Sequence, residues 1–530
     1  MEATGEIFVV PFHGQGHLFP CMELCKHLSS RNFKTTLVIR SNLSSSVPSS
    51  FRHHHPLIEV AEIASTSPSS PPPPPPDMAA GPGSGDGPKG KHHDQELAEG
   101  IESFLKDKLE EPKRTRPACA VVDVMMSWSK EIFAKFGVPS VSLFTSGACS
   151  AAMEYAAWKA HAEDLKPGET RIIPGLPEDM VLTYSDLKGR PPRHNDGHGG
   201  PLGPHGPGGP KFGPPRMPDD GPHGAGHGGP PDGGPPGPGQ PPPWLNEVED
   251  SIALFINTCD DLEGPFIDQI ANHVGKPVWG VGPLLPEKYW KSAGSLIHDG
   301  ELRSNRQSNY TEEEIIRWLD SKPHASVIYI AFGSEVGPTL EEYAQLANAL
   351  GESDTRFIWV IQPNAGHRGP PPGLFGDKPS SDAKEEGYHP HGLDGKVGDR
   401  GLVIRGWAPQ LLILSHPSTG GFLSHCGWNS TVEAVGRGVP ILAWPIRGDQ
   451  IYNAKLVVCH LKVGYMVSTG EGQSEMVKKE DIVQGMEKLM ADEEVHERAL
   501  ALRNEFGCGF PTSSVAALDA FADFISKSAS

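Results

Sequence analysis

The chain predicts an α/β fold made of two Rossmann-like halves facing each other, and three observations lead there. Short apolar runs alternate with amphipathic helical stretches, the rhythm of parallel βαβ units. The rhythm runs once before about residue 283 and again after about residue 311. The length, 530 residues, exceeds what one ordinary domain accommodates. The expected organisation is a first unit over 1–283, a linker over 284–310 and a second unit over 311–510. A final helix over 511–530 is expected to pack back on the first unit. Ligands of such folds sit beyond the carboxyl ends of the strands, so the cleft between the halves is the expected site.

The elements follow in order. Glu6–Phe12 reads as a buried strand. His17–Leu28 reads as a helix, with Leu18, Cys21, Met22, Cys25 and Leu28 at helical spacing. Strands are expected at Lys34–Ile39, Ala118–Asp123, Pro139–Thr145, Ile252–Thr258 and Pro277–Pro283, with a helix running on from Asp123 to Phe136. In the second half, Thr311 and Glu314 form a capping box that opens a helix. Strands are expected at Ser326–Phe332, Arg356–Ile361, Leu402–Arg405, Gly420–Ser424 and Ile441–Pro445. A short helix, Asn429–Arg437, is expected to close at Gly438. Ser513–Ile525 places Val515, Leu518, Phe521 and Phe524 along one helical face.

Composition bounds the rest. The 62 Gly and 54 Pro concentrate in stretches at about 65–95, 189–243 and 363–387, which are expected to be mobile surface inserts. The Pro71–Pro76 run reads as a flexible linker, with a polyproline ligand for a partner domain as the alternative. The His-rich tracts, which include His194, His198, His205, His223 and His227, read as solvated low-complexity sequence without zinc-site spacing. A formal net charge of −20 argues against a general binder of nucleic acid or anionic membrane. No apolar run is long enough for a membrane span, and the N-terminus lacks a signal-peptide pattern. Eight scattered Cys with no CxxC pair read as reduced thiols of a cytoplasmic protein.

The chemistry concentrates between Trp407 and Gln450. Strand GGFLS leads through a tight His425-Cys426-Gly427 turn to a helix N-terminus at Trp428–Ser430. Free backbone N–H groups there favour a phosphate anion, and His425 can add a donor. Glu433 can accept from the vicinal hydroxyls of a ribose, and Trp407 offers a flat face to a base. Asp449 and Gln450 can hydrogen-bond a sugar. Together these describe a nucleotide-sugar site. Upstream, PFHGQGHLFP (Pro11–Pro20) ends a strand, makes a Gly-rich turn and opens a helix with His17, which would point into the cleft.

The segment from Trp407 to Gln450 resembles the signature box of the plant family 1 glycosyltransferases, UDP-dependent enzymes of GT-B fold that glycosylate small molecules. HCGWNS, the Glu three residues later and the closing Asp-Gln stand as that family has them, and the resemblance covers most of the chain outside the inserts. It implies that Trp407 stacks on uracil, with Ala408 and Gln410 lining that pocket, and that Glu433 holds the ribose. It places His425, Gly427, Asn429 and Ser430 at the diphosphate, with Ser334 nearby, and Trp428, Asp449 and Gln450 at the sugar. Trp428 and Trp444 can equally be packing residues. Gln450 with Trp428 looks like the glucose-using version of the box. Thr145 matches a position that touches the donor sugar in relatives, and can alternatively cap a helix.

The resemblance also makes His17 the general base and Asp123 its partner. A helix N-terminus biases His17 toward the neutral form, and Asp123 would orient the ring, unless it only caps the next turn. His13, a departure from many relatives, is a second candidate base. The implied reaction is an inverting, metal-independent transfer from UDP-glucose as co-substrate, with no cofactor, to a hydroxyl of a small aromatic acceptor such as a flavonoid. Phe12, Phe19, Met125, Met126, Trp128 and Phe144 are the acceptor candidates. A monomer acting in plant specialised metabolism is expected. C-glucosylation of a phenolic ring is the close variant. An NAD(P)-dependent oxidoreductase is the different class, disfavoured because HGQGHLF lacks the third Gly of GxGxxG.

Overall fold

A computed structural model describes residues 3–49, 51, 55–64, 89–110, 117–187, 240–292, 308–333, 336–363, 365–366, 387–467, 476–506 and 509–529. The polyproline run, the His-bearing stretch at 188–239, and 367–386 lie outside them.

Two parallel sheets form the frame. The first contains β1 (Gly5–Val10), β2 (Phe33–Arg40), β3 (Ile58–Ile63), β4 (Pro117–Asp123) and β5 (Ser140–Phe144). After a small antiparallel pair, β6 (Thr170–Arg171) and β7 (Leu182–Thr183), it is completed by β8 (Ala253–Ile256) and β9 (Val278–Gly280). The order is β3-β2-β1-β4-β5-β8-β9. The second sheet contains β10 (Val327–Ala331), β11 (Arg356–Ile361), β12 (Gly401–Arg405), β13 (Thr419–Ser424), β14 (Ile441–Ala443) and β15 (Gly464–Met466), in the order β12-β11-β10-β13-β14-β15. Central strands such as β1, β5, β10 and β13 are buried along their whole length, as strands covered by helices on both faces must be.

Four expectations need correction. First, the stretch assigned to an insert at 65–95 already contains the start of a helix, Lys89–Leu109, and a strand, β3, lies just before it. Leu97, Ile101 and Leu105 of that helix are buried beside Phe8, Val10 and Phe133. Low-complexity composition upstream masked the helical spacing of these three residues. Second, no single helix runs from Asp123 to Phe136. The Asp123 side chain accepts from the Met125 N–H at 3.0 Å, which tightens Val124–Ser129 into a 3-10 turn before the helix Lys130–Lys135. Third, the edges of the third Gly/Pro-rich stretch are pinned: Gly366 bridges to Thr339, and the Tyr388 N–H donates to the Ala365 carbonyl at 2.9 Å. Fourth, on the C-terminal helix Thr512–Ala529 the buried face is Leu518, Phe521 and Ile525, while Val515 is 39% exposed. The helix following β13 spans Trp428–Val435, and the turn beyond it closes with Gly438 at φ +70°.

The halves are joined by more than the linker. The C-terminal helix lies on the first sheet, with Phe521 4.5 Å from Phe255 and 5.8 Å from Trp279, and Arg31 pairs with Asp519 at 2.7 Å. In the linker, the Tyr289 hydroxyl donates to the Glu433 carbonyl at 2.9 Å, and the Arg437 guanidinium stacks 4.0 Å above the Tyr289 ring. Across the cleft, Lys455 and Asp186 form an ion pair at 2.5 Å with both side chains buried, and His460 meets Asp179 at 3.1 Å. Among the described residues, no helix is long and apolar enough to cross a membrane. The seven described cysteines are free.

Candidate active site in the interdomain cleft

Strands β1, β4, β5 and β8 are neighbours in the first sheet, so the residues just past their carboxyl ends meet in one row. His17, third residue of the helix Gln15–Ser29 that follows β1, places Nδ1 2.7 Å from Asp123 Oδ2. Thr145, just past β5, places Oγ1 2.8 Å from the same nitrogen. A carboxylate at Nδ1 selects the tautomer protonated there and leaves the basic lone pair on Nε2. Asp123 is fully buried, whereas 26% of the His17 side chain is exposed. Asp123 thus makes two contacts at once: Oδ1 caps the following turn while Oδ2 meets His17.

His13 lies against Phe12, ring centroids 3.9 Å apart and planes tilted by 38°. Burial, aided by the neighbouring charges of Arg40 and His17, lowers its pKa to about 4. Phe12 also stands edge-on to His17 at 5.1 Å, and Met125 is 52% exposed two residues after Asp123. The other acceptor candidates are not presented this way. Met126 and Phe144 are buried in core clusters, Phe144 edge-on to Trp244. Phe19 and Trp128 pack half-buried against the cores on the two faces of the sheet. The 3-10 turn turns Met125 outward and Met126 inward.

The facing edge comes from the second sheet. Gln410 donates through Nε2 to Ser430 Oγ (3.0 Å) and Glu433 Oε2 (2.7 Å), and its Oε1 accepts from the Tyr329 hydroxyl (3.3 Å). Ala408 is buried beside it, and Trp407 is half-buried. His425 follows β13 and is only 8% exposed; burial lowers its pKa to about 4, so the ring is neutral near pH 7. Its Nδ1 is buried with no hydrogen-bond partner in the structure. Two glycines let the backbone close around it: a Cβ on Gly333 or Gly427 would come within 2.7 or 2.5 Å of His425 Nε2. Cys426 holds the turn at φ +62°, a left-handed conformation unusual for a side chain other than Gly.

Asn429 donates to the Gly16 carbonyl at 3.0 Å and so ties this edge to the start of the His17 helix. Burial raises the Asp449 carboxyl above the usual range, with the Asn453 amide at 3.0 Å and the charge of His17 pulling it back. Gln450 Oε1 accepts from the N–H groups of Ile446 and Arg447 (2.9 and 3.1 Å), which folds the loop after β14. Trp428 gives its indole N–H to the Asn257 carbonyl at 2.6 Å, a contact between the halves. Trp444 is fully buried and edge-on to Phe332 at 5.3 Å, a packing role. Ser334 lies outside the described residues.

Sequence reading gave three participants no role. Asn257, just past β8, holds the Thr145 carbonyl through Nδ2 at 2.9 Å. Glu263, fully buried, accepts from the N–H groups of Ala148 and Cys149, both at 2.8 Å, at the start of the helix after Thr145. Gly147 sits so close to Trp428 that a Cβ would lie 2.7 Å from the indole ring. The usable signal was a polar residue at the carboxyl end of a strand adjoining β5.

Comparison with known proteins gives the family and the fold. The family described as UDP-glucoronosyl and UDP-glucosyl transferase matches residues 293–504. The chain is 30% identical over 394 residues to the UDP-glucosyl transferase 73M2 of Saponaria officinalis, covering 73% of this chain and 68% of that protein. It is 28% identical over 526 residues to the anthocyanin 3'-O-beta-glucosyltransferase of Gentiana triflora, covering 94% and 93%. Its fold is similar to that of a UDP-glucosyltransferase from Polygonum tinctorium capable of glucosylating indoxyl and solved with 3,4-dichloroaniline. That likeness has a TM-score of 0.65 at 24% identity and covers 99% of this chain and 98% of the other.

Proposed function

Because the chain belongs to the plant family 1 UDP-dependent glycosyltransferases, we propose that it transfers glucose from UDP-glucose to a hydroxyl of a small aromatic acceptor, with His17 as general base. The observation that carries this reading is the His17–Asp123 pair at 2.7 Å, set on the sheet edge that faces the segment from Trp407 to Gln450. The relatives' own activities, on an anthocyanin and on indoxyl, support a small aromatic acceptor.

The step balances as a single displacement. His17 Nε2 takes the proton of the acceptor hydroxyl, and that oxygen forms a bond to the anomeric carbon. The bond from that carbon to the β-phosphate oxygen breaks, and its electron pair leaves on UDP. Attack from the face opposite the leaving group turns an α-linked donor into a β-glucoside. Asp123 holds the ring by Nδ1 and stabilises the imidazolium. The N-terminus of the helix Trp428–Val435 and His425 meet the charge growing on the diphosphate. Glu433, already fixed by Gln410, takes the ribose, and Trp407 the uracil. Asp449 and Gln450 lie on the sugar side, while Phe12 and Met125 border the acceptor.

The test incubates purified protein with UDP-glucose and a panel of flavones, flavonols, chalcones and simple phenols, followed by mass spectrometry. A hexose mass gain that disappears in His17→Ala, with UDP binding kept, is expected; fragmentation separates O- from C-linked products. Failure to bind UDP would overturn the assignment of the donor segment, and an active His17→Ala would overturn the base.

A further inference from the structure

We infer that Asn257 is a positioning residue that sets the His17 dyad and the donor segment in register, an inference that rests on His17 being the base. Asn257 is 1% exposed, and every polar group it has is used. Its N–H donates to the Phe144 carbonyl at 2.9 Å, which aligns the ends of β5 and β8. Its Nδ2 donates to the Thr145 carbonyl at 2.9 Å. Its Oδ1 accepts from the Leu284 N–H at 2.6 Å, the first residue beyond the first unit. Its own carbonyl accepts from the Trp428 indole at 2.6 Å.

These four bonds reach three separate parts of the machine. Thr145 carries the hydroxyl that lies 2.8 Å from His17 Nδ1, so fixing its carbonyl fixes where that hydroxyl meets the imidazole. Leu284 begins the connection to the second half, and Trp428 opens the helix whose N-terminus the proposed function assigns to the diphosphate. One buried amide thus ties the height of the base to the height of the donor helix. Nearby groups leave little slack. Glu263 clamps the start of the helix after Thr145, and Gly147 admits the Trp428 ring only because it lacks a Cβ. Displacements of about 1 Å at such sites cost about 100-fold in rate, so a residue that touches no substrate can still govern turnover.

Asn257→Asp keeps the shape and the acceptor for Leu284 but removes the donor to Thr145. Asn257→Ser removes the same donor without burying a charge and serves if the first variant does not fold. Both are expected to lose about 10- to 100-fold in kcat while the Kd for UDP, measured by calorimetry, stays within about twofold of wild type. A pairing with Thr145→Val supplies the decisive readout. If Asn257 acts through Thr145 and His17, the double variant is little worse than the poorer single one; independent effects multiply. A kcat within about twofold of wild type, UDP binding lost in step with kcat in both variants, or multiplicative effects with Thr145→Val would each overturn the role. His17→Ala is run alongside. If it stays active, the base assignment falls and this role with it; if it is inactive while the effects multiply, only the positioning role falls.

Discussion

Each half brings a histidine to the cleft, and the two are treated in opposite ways. His17, on the first half, is a quarter exposed and has a fully buried carboxylate 2.7 Å behind it. His425, on the second, is sealed between two glycines, and burial alone holds its pKa at about 4. As the proposed base, His17 gains and loses a proton in each turnover, which needs access and a counter-charge. His425, proposed only to donate to a phosphate, is better kept neutral. The wider edges differ in the same sense: the second-sheet edge is prearranged by bonds among its own members, such as Gln410 with Ser430 and Glu433, whereas the edge that carries His17 is strung across four strands.

The largest effect should come from breaking the exposed histidine. His17→Ala is expected to lower kcat by about 1,000-fold, within the range for general base catalysis, with UDP affinity unchanged in calorimetry. Equal losses of both would erase the contrast between the two edges. Next is the clasp between the halves. Lys455→Met strands the buried Asp186 carboxylate and should cost about 3 kcal/mol in denaturant unfolding. Adding Asp186→Asn, which keeps an acceptor for the Thr183 N–H and hydroxyl, should recover most of that, since the cost lies in the unpaired charge. Smaller again, Trp407→Ala should weaken UDP binding by about 1–3 kcal/mol, the worth of one base on one aromatic face, without moving the pH profile of turnover.

The smallest effect concerns the sealed histidine itself. With its folded pKa at about 4, against an ordinary 6.5, the unfolded chain binds more protons between those values. The stability His425 contributes is present above about pH 6.5 and is lost as pH falls toward 4. The melting-temperature advantage of wild type over His425→Gln should therefore shrink from pH 7 to pH 5. Glu154, raised by burial to about 7, works in the opposite direction and is common to both proteins, so the difference isolates His425. A constant advantage would mean that His425 titrates normally.

How much was legible follows from how contiguous each region is. The second-sheet edge lies within one stretch, so Gln410, His425, Asn429 and Glu433 are read together between Trp407 and Gln450. The base edge is assembled from positions 106 and 128 residues apart, and His17 and Asp123 were paired through family resemblance, not through any local pattern. Asn257, 112 residues from Thr145, has no signature beyond standing at a strand end. Alternation and helical spacing place eleven of the fifteen strands among the described residues, and leave out β15 and the short pair β6 and β7. They missed β3 and the helix Lys89–Leu109, whose surroundings are dominated by Pro, Gly and Ser. Met126 and Phe144 looked like pocket residues because apolar spacing does not say which face of a turn meets a ligand and which meets the core.

The helix Thr512–Ala529 has a consequence for how the protein is made. It supplies Leu518, Phe521 and Ile525 to a core whose other members, Phe255 and Val281 among them, were synthesised long before. At about 5–20 residues per second, roughly 10–50 s separate β9 from this helix on the ribosome. Through that interval the first sheet waits with an apolar strip, Phe255 and Trp279 included, open to water or to a chaperone. The half that is translated first is therefore the half that finishes last, and nascent chains stalled between β15 and Thr512 should be the ones most readily captured by a holdase.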